Sequence, residues 1–186
     1  MKYYDFGVVA SSLKSKNLCL AIIDSEVVFG IEHRKIPFYL DKFLVKEPIK
    51  VEACYYKNEA DTIERDLVSA GNPQVVSEEF KKLVEDLDPE AAQFFETESV
   101  NCRTQKKYYV MHVTKVIHCL DESRSKIFDM GDRRSIAVGM VDVSKIGEKD
   151  HIFRLGEDVQ IHYVSEKFYK EWKKRKLLGC LFNLRS

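Results

Sequence analysis

One cluster in the sequence has the residue types for nucleophilic or metal chemistry: His118-Cys119-Leu120-Asp121, with His112 upstream. An imidazole beside a thiol can serve as its base, a carboxylate can orient that imidazole, and all three can ligate a metal. The spacing works against both uses. On a strand, His112 and His118 face the same way but stand about 20 Å apart at ~3.3 Å per residue, so one ion cannot be held by both. Neither a second ligand pair nor a group placed to orient the base accompanies them. Asp121 then reads as the cap of a turn at a strand end. His151 and His162 stand alone in β-like stretches and read as structural histidines. Asp129, Asp132, Asp142, Asp150 and Asp158 are scattered and form no calcium loop. Gly139 and Gly147 fit neither a dinucleotide-binding nor a phosphate-binding pattern. The serine-elbow and zinc-helix motifs are missing. The expectation is a chain with no catalytic residues, no cofactor and no metal, whose work is binding another protein.

Charge narrows the partner. The 186 residues carry 30 basic and 30 acidic side chains, and a dedicated nucleic-acid binder usually shows a basic excess. The balance is uneven along the chain. Glu52–Glu98 holds thirteen acidic and four basic residues, whereas Lys167 to Ser186 holds seven basic residues against Glu171. The five cysteines, Cys19, Cys54, Cys102, Cys119 and Cys180, are odd in number and form no C-x-x-C pair. They read as small buried hydrophobes of a protein in a reducing cytoplasm. No apolar run reaches the ~18–20 residues of a membrane span. MKYYDFGVVASS lacks the apolar stretch of a secretory signal.

The elements that must position these residues are strands first, helices second. Leu18–Ile23 and Val27–Ile31 read as strands joined tightly through Asp24-Ser25-Glu26, and Val51–Tyr56 as another. Ile36–Ile49, with Pro37 and Pro48, reads as irregular or edge structure. Asn58–Asn72 reads as a loop or short helix. After Val75-Val76, Ser77 can cap a helix whose first turn carries Glu78 and Glu79, the acids that suit its positive end. Phe80, Leu83, Val84 and Leu87 share one apolar face, and Asp88-Pro89 should stop the helix. Phe94-Phe95 follows in a turn or short strand. Lys107–Leu120 is apolar on both alternating sets and reads as one long central strand. Ile136–Val143, Asp150–Leu155 and Gln160–Val164 are further strands. Val-Ser-Glu-x-Phe recurs at Val164–Phe168, 88 residues after its first copy. An internal duplication and a coincidence of helix-start chemistry both account for it. The second helix should end at Gly179.

The fold class expected is α+β, with a mixed, mostly antiparallel sheet or sheets and a few flanking helices. Residues 1–186 form a single domain with room for two lobes, a β-rich part (1–70) and an α+β part (71–186). The outer face of the first helix, with Glu78, Glu79, Lys82, Glu85, Asp86, Asp88 and Glu90, is the candidate partner-binding surface, because acidic faces pair with Lys and Arg on a partner.

An ordered set of motifs carries a resemblance over residues 70–186. It runs from Val76-Ser77-Glu78-Glu79-Phe80-Lys81-Lys82-Leu83 through Ala92–Phe95, Tyr108–Val113, Leu120-Asp121-Glu122-Ser123-Arg124-Ser125, Ile152-Phe153-Arg154-Leu155 and Val164–Phe168 to Leu178-Gly179-Cys180-Leu181-Phe182. In this order the chain resembles a bacterial immunity-protein family, first catalogued as a domain of unknown function. Its members are encoded beside polymorphic toxins and secreted antibacterial effectors, such as those of type VI secretion. The resemblance implies a cytoplasmic inhibitor that binds one cognate toxin 1:1, with no membrane and no nucleic acid as partner. The matching residues Ser77, Asp121, Ser123, Phe153, Arg154, Ser165, Gly179 and Phe182 read as scaffold. Two other functions stay open. One is an enzyme reversing the toxin's modification through His118, Cys119 or Asp121. The other is a nucleic-acid or adaptor module using the basic helix Lys167–Lys176.

Overall fold

The computed structural model describes residues 1–8, 20–24, 27–29, 34–36, 51–56, 65–67, 74–99, 106–129, 131 and 134–186. In chain order the elements are β1 (Tyr3–Val8), β2 (Leu20–Asp24), β3 (Val27–Phe29), β4 (Arg34–Ile36), β5 (Val51–Tyr56) and β6 (Gln74–Ser77). They continue with α1 (Glu78–Leu87), β7 (Ala92–Ser99), β8 (Tyr108–Val113), β9 (Val116–Ile117), β10 (Lys126–Asp129) and β11 (Arg134–Val138). The last are β12 (Ile152–Leu155), β13 (Asp158–Ser165), α2 (Glu166–Lys174) and β14 (Cys180–Leu184). One sheet runs β14-β1-β13-β12-β9 and a second runs β2-β5-β7-β8-β6; β3–β4 and β10–β11 are separate hairpins. Among the described residues only β12–β9 and β5–β7 pair in parallel, so the fold is α+β with mixed, mostly antiparallel sheets. Segments on both sides of residue 70 share each sheet, since β1 lies between β13 and β14 and β5 pairs with β7.

Several elements differ from the sequence reading. Lys107–Leu120 is not one strand. β8 belongs to the second sheet and β9 to the first, and the chain crosses between them at Thr114-Lys115, whose N–H groups donate to Ala91 O (2.9 and 3.3 Å). His112 and His118 therefore do not share a strand face. β2 and β3 are not partners in a hairpin: β2 pairs with β5 and β3 with β4. Phe94-Phe95 lies inside an eight-residue strand, and β11 ends at Val138, before a 3-10 turn (Val143–Lys145) capped by Asp142. Ile36–Ile49 beyond Ile36, and most of Asn58–Asn72, lie outside the described residues.

Both helices start by the same device. Ser77 and Ser165 sit in nearly identical extended backbone (φ −72 and −73°), and each Oγ accepts from the N–H three residues on, at 3.2 Å. Each serine N–H donates to a buried residue upstream, Ser77 to Asp66 O and Ser165 to His151 O. Asp66 Oδ1 and His151 Nδ1 then meet the capping hydroxyls at 2.8 and 2.9 Å. The next amides donate to Lys107 O and Lys2 O, and each lysine opens a Lys-Tyr-Tyr strand beside the serine strand. The repeated motif thus marks two copies of one strand–strand–helix unit, assembled in opposite sequence order. Phe80 and Phe168 meet between them at 5.7 Å, and Trp172 adds an edge contact to Phe80 at 5.4 Å.

Two cores flank the first sheet. Phe6, Ile152 and Val164 point toward the helices and toward Val76, Tyr109, Met111 and Val113. Tyr3, Phe153, Leu155 and Tyr163 point the other way, onto Cys119, Leu120 and Val141, with Ile127 and Ile136 of the β10–β11 hairpin laid over them. Alternation along β12 and β13 places these sets on opposite faces.

The second helix stops earlier than expected. It ends at Lys174, and Lys176 takes the left-handed conformation (φ 56°). Leu177 N–H donates to Trp172 O and Lys176 N–H to Lys173 O, a Schellman closure with Leu177 and Trp172 both buried. Gly179 (φ +100°) instead lies against the segment at Leu67, whose backbone oxygen a Cβ would strike. The two positive-φ sites should respond oppositely. Lys176→Gly removes a left-handed Cβ and should stabilise the protein by about 1 kcal/mol. Gly179→Ala combines that strain with a backbone clash and should destabilise it by at least about 2 kcal/mol. Urea midpoints that move the same way for both would contradict this.

Candidate functional site

The fold separates the residues of the His118–Asp121 cluster. Cys119 is fully buried, and burial, then the charge of Glu157, pushes its thiol up to about 12. His118 points to solvent, its Nδ1 3.9 Å from Glu157 Oε1. Asp121 turns into its own loop: Oδ1 accepts from Ser123 N–H and Oγ and from Arg124 N–H, and Oδ2 from Arg124 Nε at 2.6 Å. The Ser123 hydroxyl, then Arg124, hold its carboxyl down to about 2. Arg124 Nη2 continues to Val141 O, and Ser125 Oγ donates to Asp121 O and accepts from Met140 N–H. The Asp121–Ser125 stretch is thus a clamp at the base of the β10–β11 hairpin. A thiol pointing inward and an imidazole pointing outward make no nucleophile–base pair.

The other described histidines, His112, His151 and His162, are buried. His162 lies opposite Arg154 across β12–β13, and its Nδ1 carries a proton donated to Gln160 O at 3.1 Å. Burial, then the Arg154 guanidinium with His112 adding to it, pushes its pKa down to about 4. Burial also lowers His151, with Lys167 next in effect. No group of three or more His, Cys, Asp or Glu among the described residues is arranged to hold a metal ion.

The outward face of α1 carries Glu78, Glu79, Lys82, Glu85 and Asp86, with Glu90 exposed just beyond its end. Much of its charge is matched internally: Lys82 pairs with Glu78, Lys81 with Glu85, and Arg175 of the second helix end with Asp86 at 2.7 Å. Glu79 and Glu90 have no ion pair among the described residues. Asp88 corrects the expected set. It is buried, accepts both contacts of Lys115 Nζ at 2.8 Å and takes His151 N–H at 3.1 Å, so it is absent from the outer face. Lys115 also reaches Asp150 at 2.9 Å. Burial pulls the Lys115 ammonium down, but the hydrogen bonds to Asp88 and Asp150 outweigh it and leave its pKa raised. Sequence reasoning missed this triad and the buried Asp66, which holds Lys106 and Leu178 N–H. The signal for the triad was a lone lysine inside the apolar run of residues 108–120.

The remaining motif residues are architectural in placement. Ser77 and Ser165 cap helices, Gly179 fits against Leu67, and Phe153 packs on Tyr3 and Tyr163. Arg154 is buried, and Phe182 lies against Tyr169 and Trp172.

These placements define an α+β fold whose described ionisable and motif side chains mostly lock its own joints. The chain belongs to the Imm11 immunity protein family, which it matches over residues 45–184. The match begins well before residue 70 and so takes in part of the N-terminal half. No curated protein matches the sequence. Among the described residues no helix is long and apolar enough to cross a membrane.

Two consequences are measurable. Asp88→Ala strips a partly buried ammonium of one partner and leaves His151 N–H without its acceptor, which should cost about 3 kcal/mol in urea unfolding; a change under about 0.5 kcal/mol, the range of ordinary surface substitutions, would refute the role of the pair. Acid should also destabilise the fold. The unfolded His162 takes up a proton near its ordinary pKa of about 6.5 and the folded one only near 4. Stability is therefore full above about 6.5 and falls as pH drops from there to about 4, by on the order of 3 kcal/mol from this residue. His162→Gln should flatten the urea midpoint against pH in that window. An unchanged slope would mean that other groups govern it.

Proposed function

We propose that this protein is a cytoplasmic inhibitor that binds the toxin encoded beside it 1:1 and covers that toxin's active site. Membership of the immunity family carries the reading. The geometry supports binding over catalysis, because the cluster with the best residue types has its thiol buried and its imidazole turned away. A preformed surface suits the task, since little conformational entropy is lost on docking. In this reading the exposed carboxylates Glu79, Glu85, Asp86 and Glu90, with Glu78 and Lys82, form a charged rim that steers a basic toxin surface toward the inhibitor. Polymorphic-toxin or type VI secretion systems are the setting.

Calorimetry with the purified neighbouring toxin should give one-to-one binding with a sub-micromolar Kd, and co-expression should rescue growth of cells making the toxin. Absence of both binding and rescue would end the proposal. Rescue without binding would favour an enzyme acting on the toxin's product.

A further inference from the structure

We propose that β14 is the edge on which an extended segment of the toxin docks by strand addition, and that this segment carries acidic residues. The inference rests on the inhibitor reading above and names the surface it uses.

Among the described residues β14 ends its sheet, with β1 as its one neighbour. Arg185 N–H donates to Tyr3 O on one side of β1, and Glu166 N–H donates to Lys2 O on the other. Antiparallel ladders alternate, so residues 181 and 183 bond inward and the N–H and C=O groups of Cys180, Phe182 and Leu184 face outward. Natural edges are usually blunted by charge, proline, a bulge or shortness. The opposite edge, β9, is two residues long. β14 has none of these guards: its sequence is CLFNL, and its register with β1 runs unbroken from Tyr4↔Leu184 to Val8↔Cys180. Three of the five large hydrophobics exposed among the described residues lie on it or lead into it: Leu178 (47%), Leu181 (48%) and Leu184 (48%). Leu184 and Leu181 point to opposite faces, so both alternating side-chain sets of an added strand would find a leucine.

Charge selects the occupant. The helix α2 covers the Phe182 face through Tyr169 and Trp172, and Lys173 Nζ stands 4.5 Å over the Tyr169 ring. Lys174 and Lys176 are exposed at the same helix end. The nearby carboxylates are committed, Asp5 to Asn183 and Arg185 and Glu171 to Lys174 and Arg175. A second copy added antiparallel through its own β14 would place both α2 helices on one face, lysines beside lysines. A strand with acidic flanks meets opposite charge there.

The test uses the full chain and the purified toxin encoded beside it. Leu184→Pro removes an outward N–H without touching the β1 ladder, and Leu181→Lys installs the missing guard. Both should weaken binding by at least about tenfold with melting temperature and circular dichroism unchanged. Leu181→Ile should bind as wild type, and Lys173→Glu with Lys176→Glu should weaken binding. If wild type binds and both edge variants bind equally well, the edge is overturned and the inhibitor reading stands. If wild type itself does not bind, the inhibitor reading falls and the edge proposal with it. A concentration-dependent wild-type dimer in sedimentation, dispersed by Leu184→Pro, would make a second copy the occupant and overturn the toxin strand. Should Leu184→Pro fail to fold, Leu181→Lys on the half-exposed side decides alone.

Discussion

The Lys115 ammonium binds Asp88 from the end of α1 and Asp150 from the entry to β12, and the two sheets meet at that point. The chain leaves one sheet after Val113 and enters the other at Val116, so two residues must turn and settle their polar groups. Ala91 O receives both turning amides, and Lys115 O receives Arg154 N–H. A largely desolvated ion pair is a poor source of net stability, because removing two charges from water costs about what their attraction returns. Its value here lies in selection. A crossing displaced by one residue would carry the Lys115 ammonium away and leave the Asp88 carboxylate buried alone, so the alternatives are penalised more than the native joint is favoured.

The two strand–strand–helix units on either side of this joint solve one problem with different chemistry. A helix start buried in a protein interior has amide groups that need acceptors. Each serine satisfies one and is itself braced from upstream, by a carboxylate in one unit and by an imidazole in the other. The Asp66 brace recruits Lys106 and Leu178 N–H, tying its unit to the loop that leads into β14. The His151 brace is tied through its backbone to Asp88, and hence to Lys115. The near-repeat is therefore wired asymmetrically: one copy anchors the sheet edge, the other the crossing between sheets.

How far the sequence could be read follows from the range of each interaction. The helix over residues 78–87 was legible at both ends because capping is local: Ser77 and Phe80 lie three residues apart, and Asp88-Pro89 follows at once. Gly179 misled because glycine is the usual left-handed residue after a helix, yet Lys176 takes that position and Gly179 answers to Leu67, far away in sequence. Asp88 looked like one more surface acid, since nothing near it shows Lys115. The run 107–120 hid its break because both alternating sets are apolar, which fits one central strand as well as two strands in two sheets. The Asp121 clamp was readable as a turn cap, but not its reach to Val141. The β14 edge was invisible as an edge, because position within a sheet is a property of partners rather than of residues.

The placement of β1 also sets the order of assembly. Its neighbours are β13 and β14, so Tyr3 waits for Ser165, and Val8 for Cys180. During synthesis β1 leaves the ribosome long before either neighbour exists, exposing two open sides while the second sheet and α1 can already form. Such long-range closure is slow, and it leaves an early apolar strand at risk of mispairing. The first sheet thus closes late, and a nascent chain holding only α1 and the second sheet would still lack the strands that cover their side of the shared core.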